Sequence, residues 1–244
     1  METEKRWAMV IDQNRCIGCW TCAVACKEIN NLPLGFWWNR ILTAPPSETA
    51  AAPASENIDV PAGKFPELTL AYQPTACQHC QDAPCVKVCP VGATYRRDDG
   101  VILIDYERCI GCRYCIAACP YGVRVFNWGD KKYAEDFVVG VTEDYRSEGR
   151  LVSTPERPRG VVEKCMLCVE RIDVGELPFC VEACPVGARI FGDLNDPTSE
   201  VSKRVNKEGA ERLLDDLGTE PDVFYQPAER TDLVPGSDQS GSGA

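Results

Sequence analysis

CIGCRYCIAACP, residues 109–120, places Cys109, Cys112, Cys115 and Cys119 in a C-x2-C-x2-C-x3-C run closed by Pro120. Residues 16–26, CIGCWTCAVAC, repeat that spacing with Cys16, Cys19, Cys22 and Cys26. Two further groups, Cys77, Cys80, Cys85, Cys89 and Cys165, Cys168, Cys180, Cys184, keep the C-x2-C opening and the C-x3-C ending and stretch only the middle gap. Proline follows the last cysteine in three groups, at Pro90, Pro120 and Pro185. All 16 cysteines of the chain fall in these groups, so no thiol is left over.

Three chemistries compete for such a pattern. Disulfides belong mostly to small secreted domains, whereas this chain has 244 residues. Structural zinc also uses paired C-x2-C units, but it does not call for a third cysteine two residues on and a fourth before proline. The complete run matches the bacterial ferredoxin signature, in which three thiolates hold one [4Fe-4S] cube and the fourth reaches a second. The cysteines therefore predict four [4Fe-4S] clusters.

Segment lengths predict an α+β fold of two ferredoxin-like lobes in a pseudo-twofold arrangement, one inserted in the other. Groups two and three are joined by PVGATYRRDDGVILIDYER, whose alternation around Val101–Ile104 after the Asp99-Gly100 turn predicts a hairpin strand. They form an inserted lobe, 72–128. Groups one and four remain for an outer discontinuous lobe, 1–42 plus 150–195, with connections at 43–71 and 129–149. Residues 196–244 are expected as a C-terminal helix and tail. Ser199 or Thr198 caps that helix, which runs to Leu217 with Val201, Val205, Leu213, Leu214 and Leu217 on its apolar side, and GSDQSGSGA is read as a disordered tail.

Exchanging the fourth cysteine within each lobe assigns the ligands. Cys16, Cys19 and Cys22 take Cys184 (cluster I). Cys165, Cys168 and Cys180 take Cys26 (cluster II). Cys77, Cys80 and Cys85 take Cys119 (cluster III). Cys109, Cys112 and Cys115 take Cys89 (cluster IV). Small residues between ligands, such as Gly18, Gly111, Ala23 and Ala117, leave room for close backbone approach. His79, the one histidine, is read as a neighbour of the cluster by hydrogen bond or packing, because the cysteine quota is complete. Lys27, in the place of the missing proline, and Arg171 are candidate charges beside a cluster or ordinary salt-bridge partners. Phe36, Trp37 and Trp38 are read as leaning to a partner interface, since two adjacent tryptophans on a strand face opposite ways.

The net charge of -11, to which each oxidised cube adds about -2, argues against nucleic acid. No triad, phosphate loop or dinucleotide glycine motif is present, so no catalytic residue is assigned. METEKRWAMVID contains no apolar export signal, and no run of about eighteen apolar residues spans a membrane. The expected location is the cytoplasmic face of a membrane through partners, or the outer face if co-exported with a twin-arginine partner.

The order CIGCWTCAVACK, CQHCQDAPCVKVCP, CIGCRYCIAACPYGVRVFNW, CMLC and CVEACPVGARIFGDLNDP resembles the electron-transfer (beta) subunits of molybdopterin oxidoreductases of the dimethyl sulfoxide, polysulfide, tetrathionate and arsenate reductase type. The resemblance covers about residues 7–225. It implies a non-catalytic subunit relaying electrons between a molybdenum or tungsten molybdopterin catalytic subunit and an integral membrane quinone-binding subunit. The same nested ligand pairing is implied, and the complete third group implies four cubes where some relatives carry a [3Fe-4S] cluster. The alternatives are a soluble polyferredoxin or hydrogenase-linked carrier, and a zinc-stabilised interaction module.

Overall fold

Trp7–Asp12 is the central strand, and its alternation decides what lies on either side. Ala8 and Val10 pack with Val201 and Phe224 on one face, while Met9 and Ile11 join the larger core that contains the buried cysteines. The strand pairs antiparallel with Arg189–Asp193 and parallel with Val223–Gln226, which pairs in turn with Glu211–Arg212. These contacts come from a computed structural model that describes residues 5–44, 62–64, 67–69, 71–129, 145–147, 150–153 and 157–227.

The same local design occurs twice. Asp12 ends its strand by accepting the N–H groups of Asn14 (3.0 Å) and Arg15 (3.3 Å) on its carboxylate, and its carbonyl accepts from the Cys16 amide at 3.2 Å. Asp105 follows the strand Ile102–Ile104, and its carboxylate accepts from Glu107 (3.0 Å) and Arg108 (3.2 Å) while its carbonyl accepts from Cys109 at 3.1 Å. Such Asx turns reverse the chain at once after a strand. Each delivers a cysteine group. Ile102–Ile104 pairs antiparallel with Thr94–Arg96, the strand after Cys89, just as Trp7–Asp12 pairs with the strand after Cys184. Helix Thr21–Ile29 packs on helix Phe179–Glu182, and helix Pro84–Lys87 on helix Tyr114–Ala117.

The hairpin expected after Asp99-Gly100 forms, with Gly100 at φ 87. The C-terminal helix is shorter than expected. Ser199 caps it, accepting the Ser202 amide at 3.0 Å, but it spans only Glu200–Lys207. Gly209 follows at φ 68, the left-handed conformation that ends helices. Beyond it the chain returns to the sheet as Glu211–Arg212 and Val223–Gln226, so residues after 196 are not only helix and tail. Leu213 is buried in the main core, whereas Leu217 is 51% exposed in a 3-10 turn. The expected tail and most of the two expected connections lie outside the described residues.

For Trp38 the interface reading is corrected. Trp38 is 2% exposed and packs under the Arg157 guanidinium at 4.7 Å, which makes it core. Trp37 is half-buried between Lys27 and Trp20.

Candidate iron-sulfur centres

In each cysteine group the second residue after the first cysteine takes a positive φ: Gly18 (67), His79 (45), Gly111 (69) and Leu167 (58). This turns backbone N–H groups inward toward sulfur, as in other anion-binding loops. Leu167 donates its amide to Cys165 Sγ at 3.4 Å, and Gly18 does the same for Cys16. The cysteines before proline receive amides from downstream, Cys89 from Thr94 at 3.4 Å and Cys184 from Ala188 at 3.3 Å. At the first and third bends glycine is needed for space, since His79 and Leu167 take a positive φ in the other two groups. A Cβ on Gly18 would stand 2.4 Å from the Tyr72 ring, and one on Gly111 would stand 2.2 Å from the Gly160 carbonyl oxygen.

The folded chain gathers the cysteines around cavities. Cys16, Cys19, Cys22 and Cys184 line one. Cys26, Cys165, Cys168 and Cys180 line a second, whose wall also includes Cys77. Cys89, Cys109, Cys112 and Cys115 line a third. Cys77 and Cys85 lie within electrostatic reach of Cys80, and Cys119 within reach of Cys77. Among the described residues no group of three or more His, Cys, Asp or Glu side chains is placed to hold a single metal ion. Thiols ringing a cavity, with amides aimed at sulfur, fit a polynuclear cluster.

Burial and mutual repulsion set the thiol chemistry. Burial pushes Cys80 and Cys165 up to about 12, with neighbouring cysteines adding to the rise. Burial, then the charges of the cysteines around it, pushes Cys26 well above the usual thiol value. Cys77 is drawn down despite its burial. Burial alone would raise it, but His79, Lys164 and Arg124 together draw it well below.

His79 is 1% exposed, and its Nδ1 accepts the Ile102 amide at 3.0 Å. It therefore neighbours the Cys77 position and ligates nothing through Nδ1. Lys27 spends its ammonium on the Pro33 and Phe36 carbonyls, the latter at 3.1 Å, and lies 4.9 Å over the Trp37 ring. Cys26 is its electrostatic neighbour. Arg171 is buried against Glu176 (3.1 Å) and Glu182 and donates to the Leu177 carbonyl at 2.8 Å, so it staples the loop between Cys168 and Cys180. Sequence reasoning missed three other buried cations beside cysteines: Arg124, Lys164 and Arg189. A signal existed, since Arg124 and Arg189 each stand five positions after a proline-flanked cysteine, in CPYGVR and CPVGAR.

Comparison with known proteins agrees with this chemistry. Profiles described as 4Fe-4S dicluster domains match residues 68–136 and, for a second profile, residues 15–93 and 108–188. The chain is 48% identical over 225 residues to the iron-sulfur subunit of a provisionally assigned dimethyl sulfoxide reductase from Halobacterium salinarum, covering 90% of this chain and 78% of that one. It is 40% identical to a selenate reductase subunit of Mesobacillus selenatarsenatis, covering 91% and 72%. It is 38% identical to the arsenate respiratory reductase iron-sulfur subunit of a Shewanella species, covering 90% and 95%. The thiol-ringed cavities and these similarities lead to one conclusion: the chain belongs to the 4Fe-4S dicluster family of iron-sulfur electron-transfer subunits of reductase complexes.

Proposed function

We propose that the chain is a relay of four [4Fe-4S] clusters held by the nested ligand sets I to IV. Each cluster supplies a one-electron couple. The observation that carries the reading is the grouping of cysteines distant in sequence around shared cavities, Cys184 with Cys16, Cys19 and Cys22, and Cys26 with Cys165, Cys168 and Cys180. Successive sets adjoin in the order I, II, III, IV, because Cys22 is within electrostatic reach of Cys180, Cys77 of Cys165, and Cys85 of Cys115. The duplicated strand–Asx turn–cysteine unit supports two ferredoxin-like lobes, with 72–128 inserted between the halves of the outer one.

The ends of this order are where partners dock. Cys19 of set I and Cys112 of set IV are exposed, while every cysteine of sets II and III is buried or half-buried. Ile17 (58% exposed) and Trp20 stand beside the first, Ile110 (64%) and Tyr114 beside the second. Exposed apolar side chains beside a terminal redox centre suit a partner that excludes water from the last transfer. The partners inferred are a molybdopterin catalytic subunit at one end and an integral membrane quinone-binding subunit at the other, as the family resemblance of the cysteine motifs implies. No helix among the described residues is long and apolar enough to cross a membrane. Purification in mild detergent with metal and quinone assays tests this: molybdenum or tungsten and quinone should copurify. A fully active monomer that exchanges electrons with soluble carriers and never copurifies with either metal would support the polyferredoxin reading.

A further inference from the structure

Among the described residues five buried arginine or lysine side chains divide into two kinds. Arg171 pairs with Glu176 and Glu182, and Arg157 pairs with Glu163 at 3.5 Å. Arg124, Lys164 and Arg189 are 5%, 0% and 5% exposed and form no salt bridge with a carboxylate among the described residues. A buried cation without a counter-charge is costly, so an anion must stand close by. The anions within reach are cysteine thiolates.

Their positions are systematic. Arg189 lines both the cavity of set I and that of set II; its Nη1 is 3.8 Å from Cys180 Sγ, and its electrostatic neighbours include Cys22. Asn39 Oδ1 accepts from its Nη2 at 2.9 Å and fixes the fork. Lys164 Nζ donates to the carbonyls of Ile102 and Cys165, the latter at 2.8 Å. Its charge reaches Cys165 of set II and Cys77 of set III. Arg124 donates to Thr94 Oγ1 at 3.4 Å, leaves Nη2 buried without a partner, and faces Cys85, Cys77 and Cys119 of set III together with Cys115 of set IV.

We propose that Arg189, Lys164 and Arg124 are positioning charges of the relay, one fixed in each gap between successive clusters. The inference rests on the ligand sets given above. A fixed positive charge between two clusters favours the added electron on either of them. Each cation raises both partners of its own hop together, and clusters II and III, each between two cations, are raised more than I and IV. In each hop one cluster is oxidised and the next reduced by one electron, and the arginines have no proton to lose.

Redox titration followed by electron paramagnetic resonance, on the full iron-loaded chain, tests this. Arg189→Gln should keep its iron and shift the reduction equilibrium of clusters I and II toward the oxidised form by about tenfold, roughly 59 mV for a one-electron couple, with cluster IV unmoved. Lys164→Met should shift II and III, and Arg124→Gln III and IV. Arg189→Lys should restore the wild-type values. Full iron with unmoved potentials, or an equal shift of all four clusters, overturns the proposal. Loss of iron from all three neutral variants also overturns it, since the cations would then serve assembly. Failure of the ligand sets themselves shows separately, in the iron content and spectra of the unmodified chain.

Discussion

Ile102 donates its backbone N–H to His79 Nδ1 at 3.0 Å, which fixes the ring proton on Nε2. That nitrogen is buried without a conventional partner, and Cys77 is the ring's electrostatic neighbour. A buried donor of this kind is paired in a native protein, and the remaining acceptor here is sulfur. Fixing the tautomer through one nitrogen so that the other can serve a centre is common around metal sites.

His79→Leu should therefore act in two ways. The Ile102 amide loses its acceptor, at a cost of about 1–3 kcal/mol, read as a lower denaturant midpoint. Loss of the donor beside Cys77 should lower the potential of cluster III. An unchanged cluster III potential in a destabilised variant would reduce His79 to a packing residue.

Cys184→Ser should disturb the cluster of Cys16, Cys19 and Cys22 and spare those of groups two and three. The unmodified chain should hold roughly sixteen irons, four per cube. Iron and sulfide analysis with spin quantification measures both. Loss of the group-two and group-three signals with group one intact would refute the nested sets, and about twelve irons would refute four cubes.

Gly111→Ala should cost at least the roughly 1–3 kcal/mol of a strained backbone position, because φ is 69 and the new Cβ would meet the Gly160 carbonyl oxygen at 2.2 Å. The carbonyl belongs to the backbone and cannot swing away as a side chain can. Selective loss of cluster IV is expected. Normal occupancy with unchanged thermal stability would contradict it.

Assembly should depend on pH in a fixed direction. Burial holds Cys80 and Cys165 near 12 and Cys26 and Cys168 higher than ordinary thiols, so these groups are protonated at neutral pH in the cluster-free chain. Thiolates are the ligands, so assembly releases protons and is favoured as pH rises. Reconstitution with iron and sulfide should be more complete at pH 8.5 than at 6.5. The opposite order would show that the thiols are not protonated before assembly.

Elements whose signal is local were legible in the sequence. The C-x2-C-x2-C-x3-C runs named the chemistry because a cube needs three thiolates from one tight loop, and the Asp99-Gly100 turn predicted its hairpin. The helix after Ser199 was over-extended because Leu213, Leu214 and Leu217 continue an apolar pattern past Gly209, and only the sheet beside Trp7–Asp12 draws the chain away. Trp37 and Trp38 could not be told apart, since burial of one indole depended on Arg157 arriving from far along the chain.

Ligand spacing within a loop is a property of neighbouring residues, so the residue order alone named an iron-sulfur chain with four cysteine groups. Its profile matches run through groups one and two, groups two and three, and groups three and four alike, so they do not say which groups meet. The exchange rule proposed that Cys184 returns to Cys16 and Cys26 to Cys165, and the pairing of Trp7–Asp12 with Arg189–Asp193 brings those cysteines to the walls of shared cavities. Tertiary structure alone placed Arg189, Lys164 and Arg124 between cysteine sets. A lone Arg or Lys in a sequence is most often a solvated surface charge, and only burial without a carboxylate turns it into a counter-charge for sulfur.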